Sequence, residues 1–96
     1  MAAVRIEGIA FELDDAVEFA RRARRYSTGA SLGGASPGNE LAVEIELRVA
    51  AGGGGDVTLN GEEKLAAFAI VGEWRQSDAA PAAVRQLYLA LARDQS

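Results

Sequence analysis

The side chains that most often carry catalysis are missing from this sequence. Its 96 residues contain no histidine and no cysteine. The commonest general base, the commonest metal ligand and every thiolate nucleophile are therefore excluded. Lys64 is the only lysine, and no serine lies close to it in the sequence. A serine–lysine catalytic pair is accordingly unsupported, and we interpret Lys64 as an exposed ion-pairing residue.

The acidic residues also lack the arrangement of a reactive site. Asp14 and Asp15 are adjacent, but they precede an apolar stripe with helical spacing, and acids in that place cap a helix. The loops hold too few acids to bind a hard cation such as calcium. We predict no catalytic residues, no metal and no cofactor, so an enzyme is the less favoured class of protein.

Two glycine-rich stretches do not match phosphate-binding loops. Gly52–Gly55 is followed by Asp56 rather than by the lysine of a P-loop, and residues 29–38 lack the G-x-G-x-x-G spacing. We interpret both stretches as linkers. Residues 27–39 have small side chains without an apolar period, which predicts a flexible loop.

The densest basic feature is a group of four arginines near the end of a predicted helix over residues 14–26. Spread over more than half of the helix circumference, they would form a collar, Arg21–Arg25. Such residues commonly complement the helix dipole and face solvent. The sharper interpretation is an anion contact through Arg21, Arg22 and Arg25, with an acidic protein, a nucleotide phosphate or an RNA backbone. Only Tyr26 offers an aromatic ring beside them, which weakens the interpretation as a nucleic-acid site.

Trp74 is a second candidate contact residue. It ends an apolar run, where a tryptophan commonly forms the rim of a core. Tryptophan is also among the residue types most enriched in the energetic hot spots of protein interfaces. We therefore include Trp74 among the candidate partner-binding residues.

The stretch Glu40–Ala51 has the clearest period in the chain. Apolar residues occupy every second position from Leu41 to Val49, which predicts a strand with one apolar face. The opposite face would carry the charges of Glu44, Glu46 and Arg48, which we expect either to face solvent or to pair across an edge in a dimer.

The other elements complete an α+β domain. The alternation shifts phase at Glu7-Gly8, which predicts a hairpin from residues 4–6 and 9–13, with a single bulged strand as the alternative. We also predict helices over 14–26 and 80–94, and an antiparallel pairing of residues 40–51 with 56–59. Residues 61–75 fit either a helix, begun by Asn60, or a strand, and we favour the helix. The expected fold of residues 1–96 is a single domain: an antiparallel sheet of about four strands, made of two hairpins, with two or three helices packed on one face.

Composition and charge indicate the size of the core, the classes of partner and the cellular location to expect. Much of the apolar fraction is alanine, so the core is thin, and a homodimer would bury further apolar surface. A net charge of −4 disfavours general binding to nucleic acid. No apolar run reaches the ~20 residues of a membrane span, and no signal sequence precedes the domain, so we expect a cytoplasmic protein without membrane contact. Arginine outnumbers lysine nine to one, which suggests a GC-rich bacterial genome.

Three functions follow, in order of preference. The first is a small non-catalytic protein-interaction or accessory domain, homo-oligomeric, that binds another protein or itself. The alternative is a nucleic-acid-binding transcriptional regulator that uses the Arg21–Arg25 collar or a C-terminal helix pair. The second alternative is a small ligand-binding protein or an enzyme that works without histidine or cysteine.

Overall fold

A computed structural model describes residues 3–30 and 37–94. These residues form, in order, strands and helices that we number along the chain: β1 (Ala3–Ile6), β2 (Ile9–Glu12), α1 (Leu13–Ala30), α2 (Pro37–Ala50), β3 (Asp56–Val57), α3 (Gly61–Trp74) and α4 (Ala82–Asp94). The α+β class is confirmed, whereas the number and pairing of the elements differ from the prediction.

The first hairpin is confirmed. β1 and β2 pair antiparallel, with Val4 opposite Phe11 and Ile6 opposite Ile9. The two residues between them, Glu7 and Gly8, have φ angles of 52° and 81°. Positive φ at both central positions is the conformation that matches the twist of a two-residue hairpin. Glu7 adopts it without being a glycine, and its Oε2 accepts a hydrogen bond of 2.8 Å from the backbone amide of Leu59.

The prediction of a four-stranded antiparallel sheet is wrong. The described residues form a three-stranded sheet in the order β2-β1-β3. β3 pairs parallel with β1, with Arg5 opposite Asp56 and Ile6 opposite Val57. The sheet is therefore mixed, and the expected second hairpin, between residues 40–51 and 56–59, does not form.

The reason is that Glu40–Ala51 is almost entirely helical rather than a strand. Its apolar residues satisfy both periods, because Leu41, Ile45 and Val49 are also four residues apart. In α2 the side chains of Leu41, Ala42 and Ile45 are fully buried, while Leu47, on the same face of the predicted strand, is 59% exposed. Packing of α2 against α1 selects the helical period.

The four glycines that follow α2, Gly52–Gly55, determine where this helix ends. The amide of Gly52 donates to the Val49 carbonyl oxygen at 3.0 Å, and the amide of Gly53 to the Arg48 carbonyl oxygen at 2.9 Å. Gly52 has a φ of 92°, so this pair of bonds is the Schellman arrangement, with glycine at the left-handed position. The amide of Gly54 then donates to the carbonyl oxygen of Ala3, which leads the chain into β3.

The predicted helices are confirmed with longer or adjusted bounds. α3 is helical, as favoured, and the Asn60 side chain accepts from the Glu63 amide at 2.8 Å while Glu63 accepts from the Asn60 amide at 2.9 Å. This reciprocal capping box satisfies two amides that a helix start leaves unpaired. The predicted loop over residues 27–39 was too long, because 27–30 belong to α1 and 37–39 to α2. Its centre, 31–36, lies outside the described residues.

The helices cover one face of the sheet. Val4, Ile6, Phe11 and Val57 point into the core and are buried, whereas Arg5, the alternate residue of β1, is exposed. Phe11 meets Phe19 edge to face at 5.7 Å between ring centroids, and Phe19 meets Trp74 in the same way at 6.3 Å. This chain of rings connects the sheet to α1 and α3 through the core.

Candidate functional site

The residues proposed from the sequence as partner contacts lie in two separate places. One group lies on α1 and at the end of α3, and the other lies on α2. The first group is Arg21, Arg22, Arg25 and Trp74; the second is Glu44, Glu46 and Arg48.

Two residues of the first group, Arg22 and Arg25, line a groove between α1 and α3, whereas Arg21 and Trp74 do not line it. Arg22, Arg25 and Tyr26 line this groove from α1, and Ala69, Ile70 and Glu73 line it from α3. Its volume is about 240 Å³, and we call it the α1–α3 groove. Residues three and four positions apart share a helix face, so each helix contributes one continuous wall.

Two contacts position Arg22 at one edge of the groove. Its Nε donates to Oε2 of Glu18 at 2.9 Å, and its guanidinium carbon lies 4.8 Å from the centroid of the Trp74 ring. The negative face of an indole ring attracts a guanidinium group, and Trp74 itself is buried in the core. Trp74 therefore supports Arg22 from the buried side and is not an exposed contact residue.

Arg25 and Tyr26 form the open part of the same wall. Tyr26 is 45% exposed, which leaves part of its ring available to a ligand. Arg25 is exposed, and within residues 3–30 and 37–94 its side chain makes no ion pair or hydrogen bond. Arg21 does not line the groove, and its Nη1 donates to Oε1 of Glu18 at 2.9 Å. The collar is therefore divided between different neighbours and does not act as a single basic surface.

The charge balance at the groove differs in sign from that of the whole chain. Of the residues that line it, Arg22 and Arg25 stand against the single carboxylate of Glu73, which leaves a net charge of +1 in a chain of −4. A guanidinium group binds carboxylates through two parallel hydrogen bonds. Ile70, Ala69 and the Tyr26 ring add an apolar surface next to that charge. The arrangement suits a ligand that carries a carboxylate beside an apolar group.

The α2 residues do not join this groove. The prediction that Glu44, Glu46 and Arg48 share the charged face of a strand is wrong, because they lie on a helix, where alternate residues point in different directions. Glu46 accepts two hydrogen bonds from the guanidinium group of Arg24 on α1, one of them of 3.0 Å to Oε2. Arg48 instead reaches the glycine turn, where its Nη2 donates to the carbonyl oxygen of Asp56 at 3.4 Å.

The Arg24–Glu46 pair connects α1 to α2. Hydrogen bonding by Arg24 is the main cause that lowers the pKa of the Glu46 carboxyl. Partial loss of solvent opposes it, and the positive charge of Arg24 adds a smaller lowering effect. A similar ion pair joins the start of α3 to the end of α4, where Lys64 Nζ lies 3.1 Å from Oδ2 of Asp94. The hydrogen bond to Asp94 raises the pKa of Lys64. Lys64 therefore has the ion-pairing role expected from the sequence.

Sequence reasoning missed the α3 wall of the groove. Ala69 and Glu73 are four residues apart, which marks one face of a helix, but nothing in the sequence indicates that this face meets α1. A second, more open depression of about 520 Å³ lies at the edge of the sheet beside Arg5, Glu7 and Asp56. It has no aromatic wall, so we take the α1–α3 groove as the candidate site.

Two other features, a metal-binding cluster and a membrane-spanning helix, are absent from the residues that the structure describes. In the described part of the chain, no three acidic side chains come close enough together to hold a metal ion. None of its helices has the length and apolarity to cross a bilayer. Comparisons with protein-family models, with curated proteins and with solved structures find no match to this chain.

Proposed function

We propose that this chain is a non-catalytic protein-interaction domain, and that its α1–α3 groove binds an acidic segment of another protein. The observation that carries the proposal is the pairing of two guanidinium groups, Arg22 and Arg25, with an apolar floor and a half-exposed tyrosine. Arginine and tyrosine are enriched at the energetic centres of protein interfaces. Arg22 is also preorganised by Glu18 and Trp74, so little conformational entropy is lost when it binds.

The same contacts favour a protein over a nucleic acid as the ligand. Of the four arginines in the collar, Arg24 is paired with Glu46, and Arg21 and Arg22 are both paired with Glu18, Arg22 through its Nε. A phosphate backbone would require these cations to lie together and to outnumber nearby acids. The groove also offers space for an apolar side chain, which a phosphate backbone does not supply.

The proposal is tested with short labelled peptides. We expect a peptide that alternates glutamate with leucine or phenylalanine to bind weakly, and a peptide with lysine in place of glutamate not to bind. Fluorescence anisotropy at about 50 mM salt favours detection, because charge attraction weakens as salt rises. Duplex and single-stranded oligonucleotides serve as competitors, and displacement of the acidic peptide by them would contradict the proposal.

The matched variants are Arg25→Glu and Arg5→Glu. Both arginines are exposed, but Arg5 lies on the outer face of the sheet, away from the groove. Arg25→Glu should weaken binding of the acidic peptide at least tenfold, and Arg5→Glu should leave it within twofold. Equal effects of the two substitutions would show that only net charge matters and would overturn the groove as the site.

A further inference from the structure

Glu73 is the acidic residue of the α1–α3 groove, which it lines from α3. It is exposed, and within residues 3–30 and 37–94 its side chain makes no ion pair or hydrogen bond. The guanidinium group of Arg75, two residues further on, lies instead over the ring of Tyr88 on α4, at 4.1 Å from the ring centroid. Glu73 is therefore open to a positive charge that a ligand brings.

The other acid near these arginines, Glu18, is already engaged. Its Oε1 accepts a hydrogen bond from Arg21 and its Oε2 accepts one from Arg22, each at 2.9 Å. A cation of the ligand would have to displace an arginine to reach Glu18, whereas no described residue pairs with Glu73. Glu73 is thus the acid beside this groove that a ligand can reach at no such cost.

Charges of opposite sign lie on opposite walls of the groove. Arg22 and Arg25 belong to α1 and Glu73 to α3, and each wall also has apolar surface, from Tyr26 and Ile70. The volume of about 240 Å³ is smaller than the ~300–1,000 Å³ of pockets that hold small-molecule ligands. A few side chains of a peptide fill such a groove, so their charges have to match both walls.

We infer that the segment bound in the α1–α3 groove has mixed charge, with a carboxylate that pairs with Arg22 and Arg25 and a neighbouring lysine or arginine that pairs with Glu73. The inference rests on the proposed function, and it narrows the ligand from an acidic segment to one in which an acid and a base lie close together. The residues that line the groove carry two positive charges and one negative charge. A carboxylate shared by the two arginines and one cation complement them.

Glu73 determines which acidic segments bind well. A purely acidic segment places a further carboxylate against Glu73, and this repulsion lowers its affinity. A segment with a base at that point replaces the repulsion by an ion pair, and specificity is the difference between the two affinities. Exposed ion pairs contribute little individually, so we expect a preference of about threefold.

A positional series of peptides tests the inference. The alternating glutamate–leucine peptide is the parent, and each of its glutamates in turn is replaced by lysine or by glutamine. Comparing lysine with glutamine at one position separates the added positive charge from the loss of the acid. In fluorescence anisotropy at about 50 mM salt, we expect the lysine peptide to bind about threefold more tightly than the glutamine peptide at one position at least.

The matched variants of the chain are Glu73→Gln and Glu62→Gln. Both glutamates are exposed residues of α3, but Glu62 does not line the groove. Each substitution removes one negative charge, so both change the general attraction of the chain for lysine by the same amount. Glu73→Gln should abolish the advantage of lysine over glutamine and tighten binding of the all-glutamate parent, whereas Glu62→Gln should preserve the advantage.

The outcomes distinguish the inference from the proposed function. If the parent peptide binds but no lysine peptide binds more tightly than its glutamine counterpart, the inference is overturned and the acidic-segment proposal stands. An equal loss of the lysine advantage in both variants would show a general charge effect and would also overturn the inference. If neither the parent nor any lysine peptide binds, the proposed function fails, and the inference fails with it.

Discussion

At the scale of single residues, backbone conformation decides where glycine is required. Gly52 ends α2 with a φ of 92°, and no neighbouring atom would contact a Cβ added to it. A side chain there is disfavoured only because of this backbone angle. Gly61, the first residue of α3, also has open space around its Cα, but it has no positive φ.

These two glycines provide a matched test. Gly52→Ala should lower the free energy of unfolding by about 1 kcal/mol, because alanine must adopt the left-handed conformation. Gly61→Ala should leave stability unchanged or raise it by a few tenths of a kcal/mol, because alanine favours helix and restricts the unfolded chain. Urea denaturation measures both, and an equal effect at the two positions would contradict the capping role of Gly52.

At the scale of elements, the helical state of α2 has a direct energetic consequence. Leu41 and Leu47 lie on the same face of a strand but on different faces of a helix. Leu41→Ala should lower the free energy of unfolding by about 2–5 kcal/mol, because it leaves a cavity at a fully buried position. Leu47→Ala should change stability by no more than about 0.5 kcal/mol, since its side chain is mostly exposed. Urea denaturation measures both substitutions. Equal losses of unfolding free energy for Leu41→Ala and Leu47→Ala would support a strand over residues 40–51.

The contact between α1 and α2 should depend on pH. The folded protein holds the pKa of Glu46 below its ordinary value of 4.5. The ionised carboxylate therefore stabilises the fold above that value, and this contribution is lost as the pH falls through the lowered pKa. We expect Glu46→Gln to be less stable than the unmodified chain at pH 7, with the difference shrinking in acid. Glu44→Gln, which removes a nearby carboxylate outside this pair, is the control and should show no comparable convergence.

Local sequence signals were sufficient for most elements. Glu7-Gly8 between alternating apolar residues gave the first hairpin, the stripe through Phe19 gave α1, and Asn60 with Glu63 marked the start of α3. The alternation of Leu41–Val49 wrongly predicted a strand, because the same apolar residues fit the period of two of a strand and the period of 3.6 of a helix. The signals that distinguish the two states lay outside the stretch, in Pro37 at the first helical position and Gly52 just past the last turn.

At the scale of the whole molecule, the groove could be predicted only in part. The spacing of Arg22, Arg25 and Tyr26 places them on one side of α1, and this much follows from the sequence. That Trp74 supports Arg22, and that Ala69 and Glu73 face them, depends on how α3 packs against α1. Such pairings between distant segments are set by the core, here by the contact of Phe19 with Trp74, and not by local pattern.

The central claim is that the guanidinium groups of the groove select an acidic partner, and a charge exchange tests it most directly. Dissociation constants are measured for the acidic peptide and its lysine counterpart against the unmodified chain and against a double variant, Arg22→Glu with Arg25→Glu. The account predicts that the unmodified chain prefers the acidic peptide and that the double variant, still folded, prefers the basic one. An unchanged preference in the folded double variant would contradict it.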